Sequence, residues 1–200
     1  MALRDPDKTR NNLLEIASCL FQAKGYNGTS LTDILTKAEV SKGALYHHFS
    51  NKQDLLYAIV DELYRKQSKA HWEAITAAND PIEAIASSIE KQAIEASQED
   101  MCNGCPIHNL LAELGSTNDG LRHRVDAIFC SVQKSIYEAF ERAKTLNIVK
   151  GNTDSKRVAM LIMCTLNGMP QMVTSCQNRD VFKEISAALA DYIRSFKIVD

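Results

Sequence analysis

No uninterrupted apolar run reaches the length of about 18 residues that a helix needs to cross a bilayer, so no membrane span is expected. The opening residues, Met1 to Asp7, lack the apolar stretch of a secretory signal, and a cytoplasmic location is expected. Sustained alternation of apolar and polar residues is also missing. No Asn-Gly or Asp-Gly pair sits between two β-branched runs, which leaves little to build a sheet from. There is no internal repeat and no low-complexity tract. Charge of one sign is lacking too: 23 basic against 25 acidic side chains give a net charge of -2. That excludes a basic surface spread over the whole molecule, so any nucleic-acid contact has to come from a local cluster. Residues 1–60 carry seven basic and six acidic side chains and the remainder 16 and 19, a small asymmetry that favours the N-terminal part. No Ser-His-Asp set, His-Glu-x-x-His pair or phosphate-cradling glycine loop is present, so neither an enzyme nor a bound cofactor is expected. In a cytosolic chain the six cysteines read as thiols, not as a disulfide framework.

What is present is helical periodicity in every segment, with 45% hydrophobic residues to fill a core. A first helix spans about 8–24, with Leu13, Leu14, Ile16, Ala17, Leu20 and Phe21 on one face and Gly25 as its stop. Residues 26–29 form a turn. Ser30 caps a short second helix, Asp33 completes a capping box, and Leu31, Ile34, Leu35 and Ala38 face inward. After a turn at Glu39 and Val40, Ser41 caps a third helix over about 42–49, with Leu45 and Phe49 inward. A long fourth helix covers about 52–78. Pro81 and Pro106 sit where helices begin, the first running to about 98 and the second to 114. Further helices are expected near 121–144, 154–175 and 179–196, with a kink at Pro170. The fold expected is all-α, with about nine helices. Residues 1–52 form an N-terminal arm and helix-turn-helix domain (motif about 30–49), and 53–200 form a helical sensing and dimerisation domain.

Two short helices joined by a tight turn form the helix-turn-helix pattern, in which the start of the second helix meets base edges. Around an inward Leu45 lie Ser41, Lys42, Gly43, Ala44, Tyr46, His47 and His48, all small or polar. Gly43 and Ala44 let the backbone approach a groove, Lys42 reaches guanine or phosphate, and Tyr46 and His47 touch phosphates or bases. Lys52, Thr29 and Ser30 open helices whose N-terminal ends attract phosphate. Arg4, Lys8 and Arg10 form either a minor-groove arm or a solvated tail.

The run Thr29 to Leu35, then Val40 to Phe49, Asn51 and Lys52, preceded by Ala17, Phe21, Gly25 and Tyr26, resembles the DNA-binding segment of TetR-family regulators over about residues 8–65. The resemblance implies a homodimer with an N-terminal DNA-binding part and a larger C-terminal helical part that senses a ligand. It also implies double-stranded operator DNA as partner and release by a small-molecule, electrophile or oxidant inducer. Two positions depart from the pattern. Glu39 stands where the family often has glycine, which suggests a turn that avoids positive φ. Ala44 stands where a polar residue or threonine is common.

The last two helices are apolar on more than one face. Leu166 and Ile162 on the first, with Phe182, Ile185 and Leu189 on the second, are candidates for a dimer interface formed as a four-helix bundle. Trp72, Met101, Phe129, Tyr137, Met160, Met163, Met169 and Met172 line either an apolar pocket or the core. Cys105 is the N-cap residue ahead of Pro106, where thiols gain thiolate character, with His108 one turn on and Cys102 nearby as a resolving partner. Gly104 to Ile107 resembles, over a short stretch, the sensor segment of TetR-type regulators that respond to electrophiles or oxidants. Three readings stand side by side: an inert buried pair, a redox or electrophile sensor, and a metal site of Cys102, Cys105 and His108 needing a fourth ligand from Cys130, Cys164 or Cys176. Cys19, on the first helix, reads as core. Rival functions are a Cys-x-x-Cys oxidoreductase, which lacks its βαβ context, and a protein-interaction module built on a degenerate helix-turn-helix.

Overall fold

The computed structural model describes residues 6–198. Helix α1 (Pro6–Lys24) ends where Gly25 takes φ 76°, a left-handed conformation open to glycine. Helices α2 (Leu31–Ala38) and α3 (Lys42–His48) start where their caps dictate. Ser30 Oγ accepts the Asp33 amide while the Asp33 carboxylate accepts the Ser30 amide, and Ser41 Oγ accepts the Ala44 amide. Asn51 caps α4 (Lys52–Ala58) in the same way. The fourth helix read from the sequence as one run contains a π-helical segment, Ile59–Tyr64, before continuing as α5 (Arg65–Thr76). A single widened turn leaves no periodic mark in a sequence.

The turn between α2 and α3 corrects one expectation. Glu39 does not avoid positive φ: it sits at φ 54°, ψ 39° and closes α2 by donating its amide to Thr36. An L-residue there carries a steric penalty that glycine escapes. Glu39→Gly is therefore expected to stabilise the protein by about 0.5–1 kcal/mol, less than the full relief because glycine also loosens the unfolded chain. A higher midpoint of urea unfolding at unchanged slope is the expected reading; a lower midpoint would remove the steric account.

Asp80 caps α6 (Pro81–Glu95), with Pro81 in the first turn. The chain breaks at Ala96 and restarts as α7 (Gln98–Asn103), a helix not expected from the sequence. The signal was there: Ser97 and Asp100 form the same reciprocal capping box as Ser30 and Asp33. Then follow α8 (Pro106–Leu114), α9 (Asp119–Thr145), α10 (Ser155–Cys176) and α11 (Arg179–Arg194), with α10 continuing through Pro170.

The chain divides into two compact units. Of the described residues, the first holds 6–67 together with Cys105–Asp126. Here α1 lies at the centre and packs on α2, α3, α4, the π segment and α8. Leu13, Leu14, Phe21, Ile34, Leu45 and Phe49 fill the core between them. The second unit holds Ser68–Gly104 and the chain from Ala127 onward. Helix α11 packs along α6, and α10 packs on α11 and α7. Phe196 stacks edge-on against Phe140 and Tyr192.

A lattice of charges ties the end of the chain to α6. Arg194 donates to Glu83 at 2.7 Å and to Glu90 at 2.8 Å, and Lys197 donates to Asp80 at 2.7 Å. The Arg194 guanidinium holds the Glu83 carboxyl down at about 2, against an ordinary 4.5. A depressed carboxyl stabilises the fold above its ordinary value, and that contribution is lost as pH falls from 4.5 toward 2. The side chains keep about a third of their surface in water, so Arg194→Ala is expected to destabilise by only about 1 kcal/mol at pH 7. The gap between variant and parent should shrink below pH 4.5, read as converging urea midpoints. A gap independent of pH would assign the loss to packing of the arginine stem.

Candidate nucleic-acid interface

The buried side chains Leu45 and Phe49 seat α3 on α1 and fix which of its residues face out. Ser41, Lys42, Gly43, Tyr46 and His47 are exposed and Ala44 is half-buried. Helix α3 with its cap thus offers a hydroxyl, an ammonium, a bare backbone, a phenol and an imidazole on its outward surface. A Cβ built on Gly43 meets only Ser41 Oγ, at 3.9 Å, so nothing inside the protein requires glycine there. Lys42 Nζ lies 5.8 Å from the Tyr46 ring centre. His47 and His48 meet edge to face at 4.9 Å. Burial, then the neighbouring His47, pulls His48 below its ordinary value.

Around this surface some expected contacts take other roles. Thr29 is fully buried. Its hydroxyl donates to the Gly25 carbonyl at 2.8 Å and the Leu20 carbonyl at 3.2 Å, and its amide donates to the Tyr26 carbonyl. It therefore pins the α1–α2 turn and cannot touch phosphate, which corrects its sequence assignment. Ser30 is exposed, with its hydroxyl donating to Asp33 at 2.7 Å. The Lys52 ammonium lies 4.0 Å over the Tyr26 ring, where burial draws it below its ordinary value and Glu113 partly offsets that. Of the N-terminal cations, Arg4 lies outside the described residues and Lys8 is exposed. Arg10 is taken up by Glu62 and by the Phe49 ring, 4.9 Å away.

One residue of the site escaped the sequence reading. Glu113, on α8, accepts the amides of Tyr26 at 2.7 Å and Asn27 at 2.6 Å. A Cβ on Gly25 would stand 3.1 Å from its Oε2. The turn entering the helix-turn-helix is held by a carboxylate more than 80 residues away in sequence, and no local motif announces such a contact.

The cysteine segment is partly reorganised. Cys105 occupies the N-cap position of α8 and is half-buried. Burial pushes its thiol up, but the nearby His108 side chain and the His108 and Ile107 amides at the start of α8 outweigh that and leave it below its ordinary value, although its sulfur makes no capping hydrogen bond. Cys102 is exposed, its sulfur accepting from Gln98 Nε2 at 3.7 Å. Cys19 is exposed and not part of the core, which corrects its reading. Among the described residues no three His, Cys, Asp or Glu side chains gather as a metal site would require.

Two of the five dimer candidates face the protomer's own core: Ile162 and Leu189 are buried and cannot meet a partner, a correction that follows from how α10 and α11 pack. Leu166, Phe182 and Ile185 are half-buried. The outward stripe of α10 runs instead through Leu161, Thr165, Gly168 and Met172, with Leu161 49% and Met172 58% exposed. Of the pocket candidates, Met101, Met163 and Met169 are buried, whereas Tyr137, Met160 and Met172 are open to solvent. No helix among the described residues is long and apolar enough to cross a membrane.

Comparison with known proteins agrees with this architecture. Residues 13–59 match the family described as bacterial regulatory proteins, tetR family. Residues 81–188 match the C-terminal domain of LmrA/YxaF-like transcriptional regulators. The HTH-type transcriptional regulator LmrA of Bacillus subtilis is 25% identical over 93% of this chain and 97% of its own. An HTH-type transcriptional regulator in the lacX 3' region of Lactococcus lactis is 26% identical over 88% of each chain. Among solved structures, a TetR transcriptional regulator from Chloroflexus aurantiacus superposes with a TM-score of 0.82 at 26% identity, over 99% of this chain and 100% of that one.

Proposed function

This chain belongs to the tetR family of bacterial regulatory proteins and is a DNA-binding transcriptional regulator, and we propose on that footing that it is a homodimeric repressor of a palindromic operator. The observation that carries the reading is the outward face of α3, where Lys42, Gly43, Tyr46 and His47 stand clear of a core that needs none of them. Ser30, Ser41, Ala44 and Lys52 flank that face and complete the proposed contact set. Residues 1–52 act as the reading part, and 53–200 as the sensing and dimerising part. The protein works in the cytoplasm by binding and not by turnover.

Regulators of this family act as dimers and respond to small molecules. In this chain the two copies meet through the outward stripe of α10 and the half-buried Phe182 and Ile185 of α11. Exposed Leu161 and Met172 support that choice, since large apolar side chains left in water on one helix face mark a contact surface. The dimer then sets its two α3 helices one DNA turn apart, about 34 Å. Release follows a small-molecule or redox signal that stabilises the state unable to span both half-sites. Cys105, activated by His108, is the leading sensor, with an electrophile or oxidant as its signal.

The test is fluorescence anisotropy of the reduced protein on DNA from its own upstream intergenic region. It is repeated after mild oxidant and again after reductant, with the mass of the free protein measured by ultracentrifugation. Tight binding by a dimer, reversed by oxidant and restored by reductant, is the expected result. Tight binding in every redox state would move the signal to a non-covalent ligand. No binding at low salt would sink the DNA-reading proposal itself.

A further inference from the structure

The first unit holds two cysteines that the sequence keeps far apart, Cys19 on α1 and Cys105 at the start of α8. Helices α1 and α8 pack on one another, and their C-terminal ends meet where Glu113 takes the Tyr26 and Asn27 amides. Both helices therefore run toward the same junction. Counting back from it, Cys19 is seven residues before Tyr26 and Cys105 is eight before Glu113. At a rise of 1.5 Å per residue the two thiols stand at about the same height, roughly 10–12 Å above the junction. Tyr64, from the π segment, marks that level. Its hydroxyl is 2.9 Å from the hydroxyl of Ser18, the neighbour of Cys19. Its phenol, pushed up to about 12 chiefly by burial, is pushed further the same way by Cys105 and by Cys19. Cys105 is half-buried with His108 beside it, and Cys19 is exposed.

We propose that Cys19 and Cys105 form a disulfide when the protein meets hydrogen peroxide, with Cys105 the attacking thiol and Cys19 the one that resolves it. The proposal rests on Cys105 being the sensing thiol and replaces Cys102 as its partner. Cys105 surrenders its proton toward His108, and its sulfur attacks the peroxide. The O–O bond breaks, an S–O bond forms, and hydroxide leaves to become water. The Cys19 sulfur then displaces the sulfenic oxygen: the S–S bond forms, the S–O bond breaks, and a second water leaves. Two thiols give up two electrons and the peroxide takes them. The bond clamps the first turn of α8 onto α1, whose far end carries the turn into the helix-turn-helix. A disulfide needs the two Cα atoms within about 7 Å, so small adjustments of α8 on α1 decide how fast it closes.

The full-length protein is treated with hydrogen peroxide, blocked with a thiol alkylator and digested without reductant, and its linked peptides are identified by mass spectrometry. Parallel samples carry Cys19→Ser, Cys102→Ser or Cys105→Ser, the first at an exposed site where folding should be undisturbed. The expected product joins the peptide of residues 11–24 to that of residues 92–122, in the parent and in Cys102→Ser, and dithiothreitol reverses it. The linked fraction should fall at least about tenfold in Cys19→Ser, where a dimedone-reactive sulfenate should accumulate on Cys105 instead. Oxidation of Cys105 with the linkage going to Cys102, or with no difference between the parent and Cys19→Ser, would overturn the role of Cys19 and leave Cys105 as sensor. A Cys105 that stays reduced would overturn both.

Discussion

Gly43→Leu is expected to leave the protein folded and to remove its operator binding. Leucine is a far better helix former than glycine, so the thermal midpoint of the variant should hold or rise, by up to about 1 kcal/mol of stability. The added Cβ meets nothing but Ser41 Oγ at 3.9 Å, at an exposed position. On the interface proposed for α3, the same side chain stands in the way of the groove, between Lys42 and Tyr46. A helix kept off base edges by the bulk of a leucine loses direct contacts and good phosphate geometry together. A loss of about a hundredfold or more in operator affinity is expected, equivalent to about 3 kcal/mol. The pair of readings matters more than either alone. Anisotropy on the operator should collapse while circular dichroism and thermal unfolding do not. If affinity survives, α3 does not approach the groove by the face that carries Gly43, and the contact set built on Lys42, Tyr46 and His47 fails with it.

The helix-turn-helix was legible because each of its signals is local. Ser30 with Asp33, Ser41 with Ala44 and Gly25 with its positive φ each act within four residues, and a reader of the sequence sees the same short spacing that the backbone uses. Legibility faded where a residue's role depends on what packs over it. Thr29 was assigned outward by its place beside a helix start, yet three groups of the α1–α2 turn claim its hydroxyl and amide. Ile162 and Leu189 looked like interface residues because both last helices are apolar on several faces. Periodicity alone cannot say which apolar face meets the protomer's own core and which meets a partner. Cys19 looked buried for the same reason, as one small residue on a strongly apolar helix. Glu39 failed differently. The absence of glycine suggests a turn that avoids left-handed backbone, whereas the α2 helix end and the short link to α3 impose that conformation on the residue that stands there. Only α7 was readable and missed, since Ser97 and Asp100 repeat the spacing already used to find α2.

The second large effect is expected at Glu113, which no sequence pattern links to DNA. Its two oxygens take the amides of Tyr26 and Asn27, the pair that leads the chain from α1 into the helix-turn-helix. Hydrogen bonds from amides to a carboxylate are stronger than neutral ones, each about 1.5–3 kcal/mol when sheltered, and less here because the Asn27 contact is exposed. Glu113→Ala leaves both donors to water or to nothing, and removes the negative charge beside the Lys52 ammonium on the Tyr26 ring. A destabilisation of about 2 kcal/mol is expected, read as a lower urea midpoint. Operator affinity should fall about tenfold as well, because the turn that positions Ser30 and α2 in the proposed contact set loses its anchor. Glu113→Gln separates geometry from charge. Its single carbonyl oxygen can serve one amide well, while its NH2 group faces the other donor and repels it, so about half of each loss should remain. If Glu113→Ala melts like the parent, the two amides have found other acceptors and the carboxylate is a surface charge. If it melts lower yet binds the operator as tightly as the parent, the turn is stabilised by Glu113 but positioned by Thr29 and the α1 core.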